Sequence, residues 1–250
     1  MADANPFHEL EESNAFDTAF HTEWFTVEAA TRPGPAAAEA LERLCRTYWY
    51  PLYAYVRHRG HEPADAQDLT QEFFAHLLER PWLDGVHPSK GKFRSFLLAS
   101  MKHFLANEWR RGQAQKRGSG RTLFSLEALA AGDLKNIEPS HHETPDRAFE
   151  HHWANAVFDQ ALARLRSEYT DVGKGALFDS LKGCLKADEG QSNYAEVAKQ
   201  FGMSRAAVKK AAQRLRERCR VLLREELAHT VPEPGELDEE LHWLFTALAG

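Results

Sequence analysis

The chain has 250 residues, 43 % of them apolar, and a formal net charge of −6, which allows one large or two small domains with real cores and excludes a protein that coats nucleic acid indiscriminately. Cys45, Cys184 and Cys219 lie far apart with no CxxC spacing, so a disulfide framework is excluded and a reducing cytoplasm is expected. No apolar run approaches a membrane span and the N-terminus is acidic rather than signal-like, so no membrane insertion is expected.

Residues 1–35 are polar and end in the breaker-rich TRPGP, which predicts an N-terminal arm holding one short helix near Trp24–Ala30. From Ala36 to about Arg59 a helical period runs through Leu41, Leu44, Tyr48, Leu52, Tyr55 and Val56, with Pro51 expected to bend it. The turn RGHEP places Pro63 at a first helical position. The next helix, ADAQDLTQEFFAHLLER, turns Leu69, Phe73, Phe74, Leu77 and Leu78 inward and raises Asp65, Asp68 and Glu72 as an acidic ridge. PWLDGVHPSKG reads as a loop. KFRSFLLASMKHFLANEWRR then reads as a long helix that buries Phe93, Phe96, Leu97, Met101, Phe104 and Leu105. Its other side gathers Lys102, His103, Asn107, Arg110 and Arg111.

Residues 113–148 are rich in Gly, Ser, Pro and charge and read as a linker, with a short helix at most around Leu126–Ala131. Helices resume at about Phe149–Tyr169 and Gly175–Lys186. The stretch YAEVAKQFGMSRAAVKKAAQRLRER then spells a helix-turn-helix. Val197, Ala198 and Phe201 face inward on the first helix, and Gly202 stands where a tight turn needs a positive φ. Ser204 caps the second helix, whose inward face is Met203, Val208 and Ala211. Its outward face shows Arg205, Lys209, Lys210, Gln213 and Arg214, a surface fit for a major groove and its phosphates. The tail 233–250 starts acidic and ends in a helical pattern of Leu237, Leu241, Leu244, Phe245 and Leu248. Strand signals are essentially absent, so the expected fold is all-α: two helical domains joined by a flexible linker.

Charge is unevenly placed. Lys199 to Arg224 holds nine Lys/Arg and one acid, Glu217; Arg94 to Arg121 holds seven Lys/Arg and one acid, Glu108. Two basic patches in an acidic chain point to two nucleic-acid contacts.

The order of these parts (acidic DLTQEFF helix, basic aromatic helix, linker, terminal helix-turn-helix) resembles the sigma factors of bacterial RNA polymerase. YWYPLYAYVRHRG and FRSFLLASMKHFLANEWRR strengthen the likeness, which is nearest to the extracytoplasmic-function (ECF) group. The resemblance divides the chain into an arm (1–35), sigma region two (36–112), a linker (113–149), sigma region four (150–230) and a C-terminal extension (231–250). It implies that Asp68, Gln71 and Glu72 dock on core RNA polymerase. It implies that helix 93–111 meets the −10 promoter element through Lys102, His103, Asn107, Arg110 and Arg111. Trp109 is the aromatic candidate there, for stacking on a base or for capping the core. Ser204, Arg205, Lys209, Lys210, Gln213 and Arg214 are implied as the −35 contacts.

A spacer of about 17 base pairs spans about 58 Å. A free coil of the linker's length averages only about 30–36 Å end to end but reaches over about 110 Å extended, so the linker bridges both elements only when held stretched. The resemblance implies an inhibitor such as an anti-sigma factor as a further partner. An autonomous helix-turn-helix repressor or activator is the alternative, but it requires neither the acidic helix nor the second basic patch. His141, His142, His151 and His152 with Glu143 show no metal-ligand spacing and read as solvated linker residues. No P-loop or nucleophile elbow is present, so no catalytic residue, metal or cofactor is expected. The acidic tail complements the basic second helix in charge and is expected to fold back over it.

Overall fold

The computed structural model describes residues 35–77, 92–114, 143–185, 194–228, 231 and 234–249. Eight α-helices occur among them: α1 (Pro35–His58), α2 (Pro63–Leu77), α3 (Phe93–Ala114), α4 (Pro145–Asp171), α5 (Gly175–Leu181), α6 (Tyr194–Phe201), α7 (Arg205–Ala228) and α8 (Leu237–Ala249). Short 3-10 turns follow α5 at Lys182–Leu185 and precede α8 at Pro234–Glu236. No strand occurs among the described residues, and the all-α class holds. The short helices expected near Trp24–Ala30 and Leu126–Ala131, the loop after α2, Leu78, His141, His142 and most of the linker lie outside the described residues.

Helix α1 runs through Pro51 without ending. Pro51 has no N–H to give to the carbonyl four residues back, and here that carbonyl belongs to Thr47. The Thr47 hydroxyl donates to the carbonyl of Arg43 at 3.2 Å and accepts from Gln160 of α4 at 2.9 Å. The proline turn is therefore seated against α4 rather than against water. Aromatic edges continue the seam, with Tyr50 meeting His152 of α4 at 4.9 Å and 89°.

That seam is the main packing of the molecule: α1 lies along α4, and the halves that the sequence separates share one apolar core. Tyr48, Leu52, Tyr53 and Tyr55 of α1 are buried in the same cluster as Phe149, Trp153 and Leu165 of α4. Helices α2 and α3 complete the N-terminal side through Phe73, Phe74, Phe93 and Phe104. On the C-terminal side α4 carries α5, α7 and α8.

Helix α4 begins four residues before the expected start. Thr144 accepts a hydrogen bond from the Arg147 backbone N–H at 3.3 Å, Pro145 opens the helix and Asp146 lies in its first turn. Cap, proline and acid are each favoured at a helix N-terminus. His151 and His152 consequently sit on a helix, both half-buried, rather than in a solvated linker. His152 is pulled down to about 4 by burial, with the neighbouring charges of His151 and His58 acting in the same direction.

The extension folds back, but not over the outward face of α7 at Arg205–Arg214. Helix α8 packs on α4 and α7 and reaches α3 through Glu240. Glu240 is fully buried and accepts from Arg94 Nε at 2.6 Å and Nη2 at 3.2 Å, with Lys92 Nζ at 2.7 Å. Burial alone would raise the Glu240 carboxyl, yet the hydrogen bonds and charges of Arg94 and Lys92 hold it below its usual value. The Arg94 guanidinium lies 3.7 Å over the Trp243 ring of α8 and 5.1 Å from the Trp153 ring of α4. Three helices meet at one cation.

Neutral His152 links stability to pH. Its folded pKa lies below its unfolded value near 6.5, so its contribution is full above that value and is lost as pH falls toward about 4. Urea unfolding is expected to show about 2 kcal/mol less stability from this group at pH 5 than at pH 7.5. His152→Phe should remove that part of the loss; an identical pH dependence in both proteins would contradict the assignment.

Candidate nucleic-acid and polymerase interfaces

The acidic ridge stands on α2. Asp65, Asp68 and Glu72 are exposed and Gln71 is half-buried, while Ala66, Thr70, Phe73, Phe74 and Leu77 face the core. The Thr70 hydroxyl is satisfied inside the helix by the Ala66 carbonyl at 2.7 Å. The ridge is thus free of the packing that fixes the helix. Beside it, Glu72, His76 and Glu108 bring ligand-type atoms within 4.8 Å of one another, a grouping that the sequence reading did not find because Glu108 arrives from α3.

On α3, at 100° per residue, His103, Asn107, Arg110 and Arg111 fall within roughly 100° of helix arc, with Lys102 and Trp109 together to one side of them. Lys102, His103, Asn107 and Arg110 are exposed; the Arg111 side chain lies outside the described residues. Arg110 donates to Asn107 Oδ1 at 2.8 Å and to the Ala106 carbonyl at 3.2 Å, which orients both polar ends along the helix. Trp109 is 67 % exposed, so it does not cap the core. It borders a cleft of about 750 Å³ lined also by Arg59, His61, Leu69, Leu105 and Arg110. Two of these, Arg59 and His61, come from the turn after α1, and their part in the cleft was not legible from α3 alone.

One member of this set is already engaged. The Lys102 ammonium pairs with the Asp146 carboxylate in the first turn of α4.

The helix-turn-helix geometry follows its residues closely. Helix α6 ends at Phe201, Gly202 takes φ +63°, and the Met203 N–H donates to the Ala198 carbonyl at 2.9 Å. This six-to-one bond closes the helix end and aims the next helix away. The Ser204 hydroxyl then accepts from the Ala207 N–H at 3.1 Å, capping α7. Val197 and Val208 are buried, Ala198, Phe201, Met203 and Ala211 pack partly against the core, and Ala212 adds a buried position that the sequence reading did not name. Arg205, Lys209, Lys210, Gln213 and Arg214 are all exposed. Gln213 donates to Glu217 at 2.9 Å.

The later arginines of α7 serve the fold. Arg216 donates to the Cys184 carbonyl at 3.0 Å and to the Tyr194 hydroxyl at 3.3 Å. Arg218 makes a two-pronged pair with Glu168 at 2.8 and 2.6 Å, and Arg224 pairs with Asp238 of α8. Arg220 is exposed. The basic run therefore splits into an outward first half and a second half largely tied to α4, the 3-10 turn at Lys182–Leu185, α6 and α8.

Residues 44–115 match the family model for sigma-70 region 2, which covers α1 from Leu44, α2 and α3. The matched stretch holds both the acidic ridge on α2 and the basic, aromatic face on α3. No curated protein and no solved structure matches the chain. No helix among the described residues is long and apolar enough to cross a membrane.

The turn between α6 and α7 makes a graded test. A Cβ at Gly202 meets nothing within 4 Å, so the cost of replacement is that of the left-handed backbone alone. Gly202→Val is expected to lose more than about 1 kcal/mol and Gly202→Asn less than that. Ser204→Ala should lose about 1 kcal/mol. Equal losses for Asn and Val in chemical denaturation would show that φ is not the constraint.

Proposed function

We propose that this chain is an ECF-type sigma factor that binds core RNA polymerase in the cytoplasm and directs promoter recognition and opening, with no catalytic residue of its own. The observation that carries the reading is the region 2 match over residues 44–115, which coincides with an exposed acidic ridge on α2 and an exposed basic, aromatic face on α3. Asp68, Gln71 and Glu72 form the polymerase-docking set, since an unpacked row of carboxylates suits a basic partner surface.

Lys102, His103, Asn107, Trp109, Arg110 and Arg111 form the −10 set. An exposed indole beside a cleft bearing Arg59 and His61 offers a stacking face with cations for the adjoining phosphates, and each stacked base contributes roughly 1–3 kcal/mol. The C-terminal part, residues 150–230, acts as region four. There Ser204, Arg205, Lys209, Lys210, Gln213 and Arg214 meet the −35 duplex from the N-terminal half of α7. Ala206 and Ala207 keep that helix end slim, which permits close approach to the groove. An anti-sigma protein or similar inhibitor is the expected regulatory partner.

Run-off transcription with purified core polymerase on a library of genomic upstream fragments tests this reading. Start sites are expected only when the protein is added, and Asp68→Arg with Glu72→Arg should abolish them while leaving the circular dichroism spectrum unchanged. Trp109→Ala should lower open-complex formation by about 5- to 150-fold. No new start sites, together with tight dimeric binding to a palindrome without polymerase, would instead identify an autonomous regulator.

A further inference from the structure

Glu72 and His76 stand one turn apart on α2, at a spacing that puts both on one face of the helix. Phe104 and Glu108 share a face of α3 by the same spacing. The two faces meet. The His76 ring lies 5.6 Å from the Phe104 ring, which in turn meets Phe73 edge-on at 5.8 Å. The contact that braces the imidazole therefore also carries Glu108 to it, and the ligand-type atoms of Glu72, His76 and Glu108 all lie within 4.8 Å of one another. Spacing along the chain shows only the first pair, so no metal is expected from sequence.

Such a trio has a defined chemistry. One imidazole nitrogen with two carboxylate oxygens suits first-row divalent ions of the zinc class, whereas magnesium and calcium take oxygen ligands alone. Zinc bonds of about 2.0–2.2 Å at a tetrahedral centre place neighbouring ligand atoms about 3.3–3.5 Å apart. Rotation of the two glutamate side chains reaches that spacing while the imidazole stays against Phe104. Glu72 is exposed and His76 and Glu108 are half-buried, so a fourth position stays open to water. Charge points the same way, because two carboxylates brought this close repel each other unless a cation joins them. His76 also lies in the last turn of α2, where the helix dipole favours positive charge. A proton on His76 is the competing occupant, and a bound metal displaces it.

We propose that Glu72, His76 and Glu108 form a site for one divalent transition-metal ion of the zinc class, which ties α2 to α3 and takes Glu72 out of the acidic ridge. The site stands on its geometry alone. Its effect on docking rests on the sigma-factor reading, since an occupied site leaves Asp68 as the one carboxylate of the proposed polymerase-docking set.

The test titrates the full chain, first stripped with a chelator, with zinc chloride by calorimetry at about pH 7.5. Glu72→Gln, His76→Gln and Glu108→Gln are each expected to weaken zinc binding by more than about ten-fold. His242→Asn, at an exposed position on α8, should leave it unchanged. Glu72 is exposed, so loss of binding in Glu72→Gln is separable from loss of fold. Zinc at about one hundred-fold above its Kd should raise the Tm of the wild type by about 5–10 °C and leave that of His76→Gln unmoved. Zinc affinity unchanged by all three substitutions overturns the site, and so does equally tight binding of calcium or magnesium. Saturating zinc should also weaken binding to core polymerase on the order of ten-fold in the wild type, with no effect in Glu108→Gln. Zinc bound with polymerase affinity unchanged overturns the effect on docking and keeps the site. Zinc bound with no polymerase binding at any metal level keeps the site and removes the sigma-factor reading.

Discussion

A buried carboxylate with two cations around it organises this molecule. Glu240 has left water entirely, and Arg94 has nearly done so with only 7 % exposure. Neither charge is tolerable alone at such a depth, since breaking a buried pair by removing one partner costs about 3–5 kcal/mol. Replacing both by apolar groups would often be neutral, so the pair contributes little net stability. What it supplies is specificity: the start of α3, the first turn of α8 and Trp153 of α4 must arrive together or not at all. The indole rings above the guanidinium reinforce that demand, because a cation held against two ring faces tolerates little displacement.

The same logic distributes the arginines of α7. Arg216, Arg218 and Arg224 find carbonyl, hydroxyl and carboxylate partners on α4, the 3-10 turn at Lys182–Leu185, α6 and α8, and they orient the helix. Arg205, Lys209, Lys210 and Arg214 remain exposed on the half that projects beyond that support. A helix anchored at one end by ion pairs and capped at the other by Ser204 keeps its free face at a fixed angle, which is what a groove-reading surface requires. Individually these surface pairs are each weak, about 0–1 kcal/mol, so the orientation comes mainly from Leu215, Cys219, Leu222 and Leu223 in the core.

Much of this was legible in residue order. The period of α1, the ridge of Asp68 and Glu72, the Gly202 turn and the Ser204 cap all follow from local rules that act within one helix turn. The start of α4 was also written locally, in Thr144, Pro145 and Asp146, but the surrounding polar composition read as linker and concealed it. Pro51 marks the limit of such rules: its missing hydrogen bond is a local fact, while the Gln160–Thr47 contact that seats that turn comes from 113 residues away.

The sequence by itself determined the helices, their inward faces and the positions of the acidic and basic surfaces, because periodicity and capping depend on neighbours three or four residues apart. Only the tertiary structure decided which charges stay outside. Arg94 and Lys102 look alike in sequence, basic residues on an aromatic helix, yet one is buried under two tryptophans and the other sits on the surface beside Asp146. The difference lies in α8 and α4, whose acids arrive from 146 and 44 residues away. No local pattern encodes such a pairing, since its energy exists only once both carboxylates have been carried to the same side of α3.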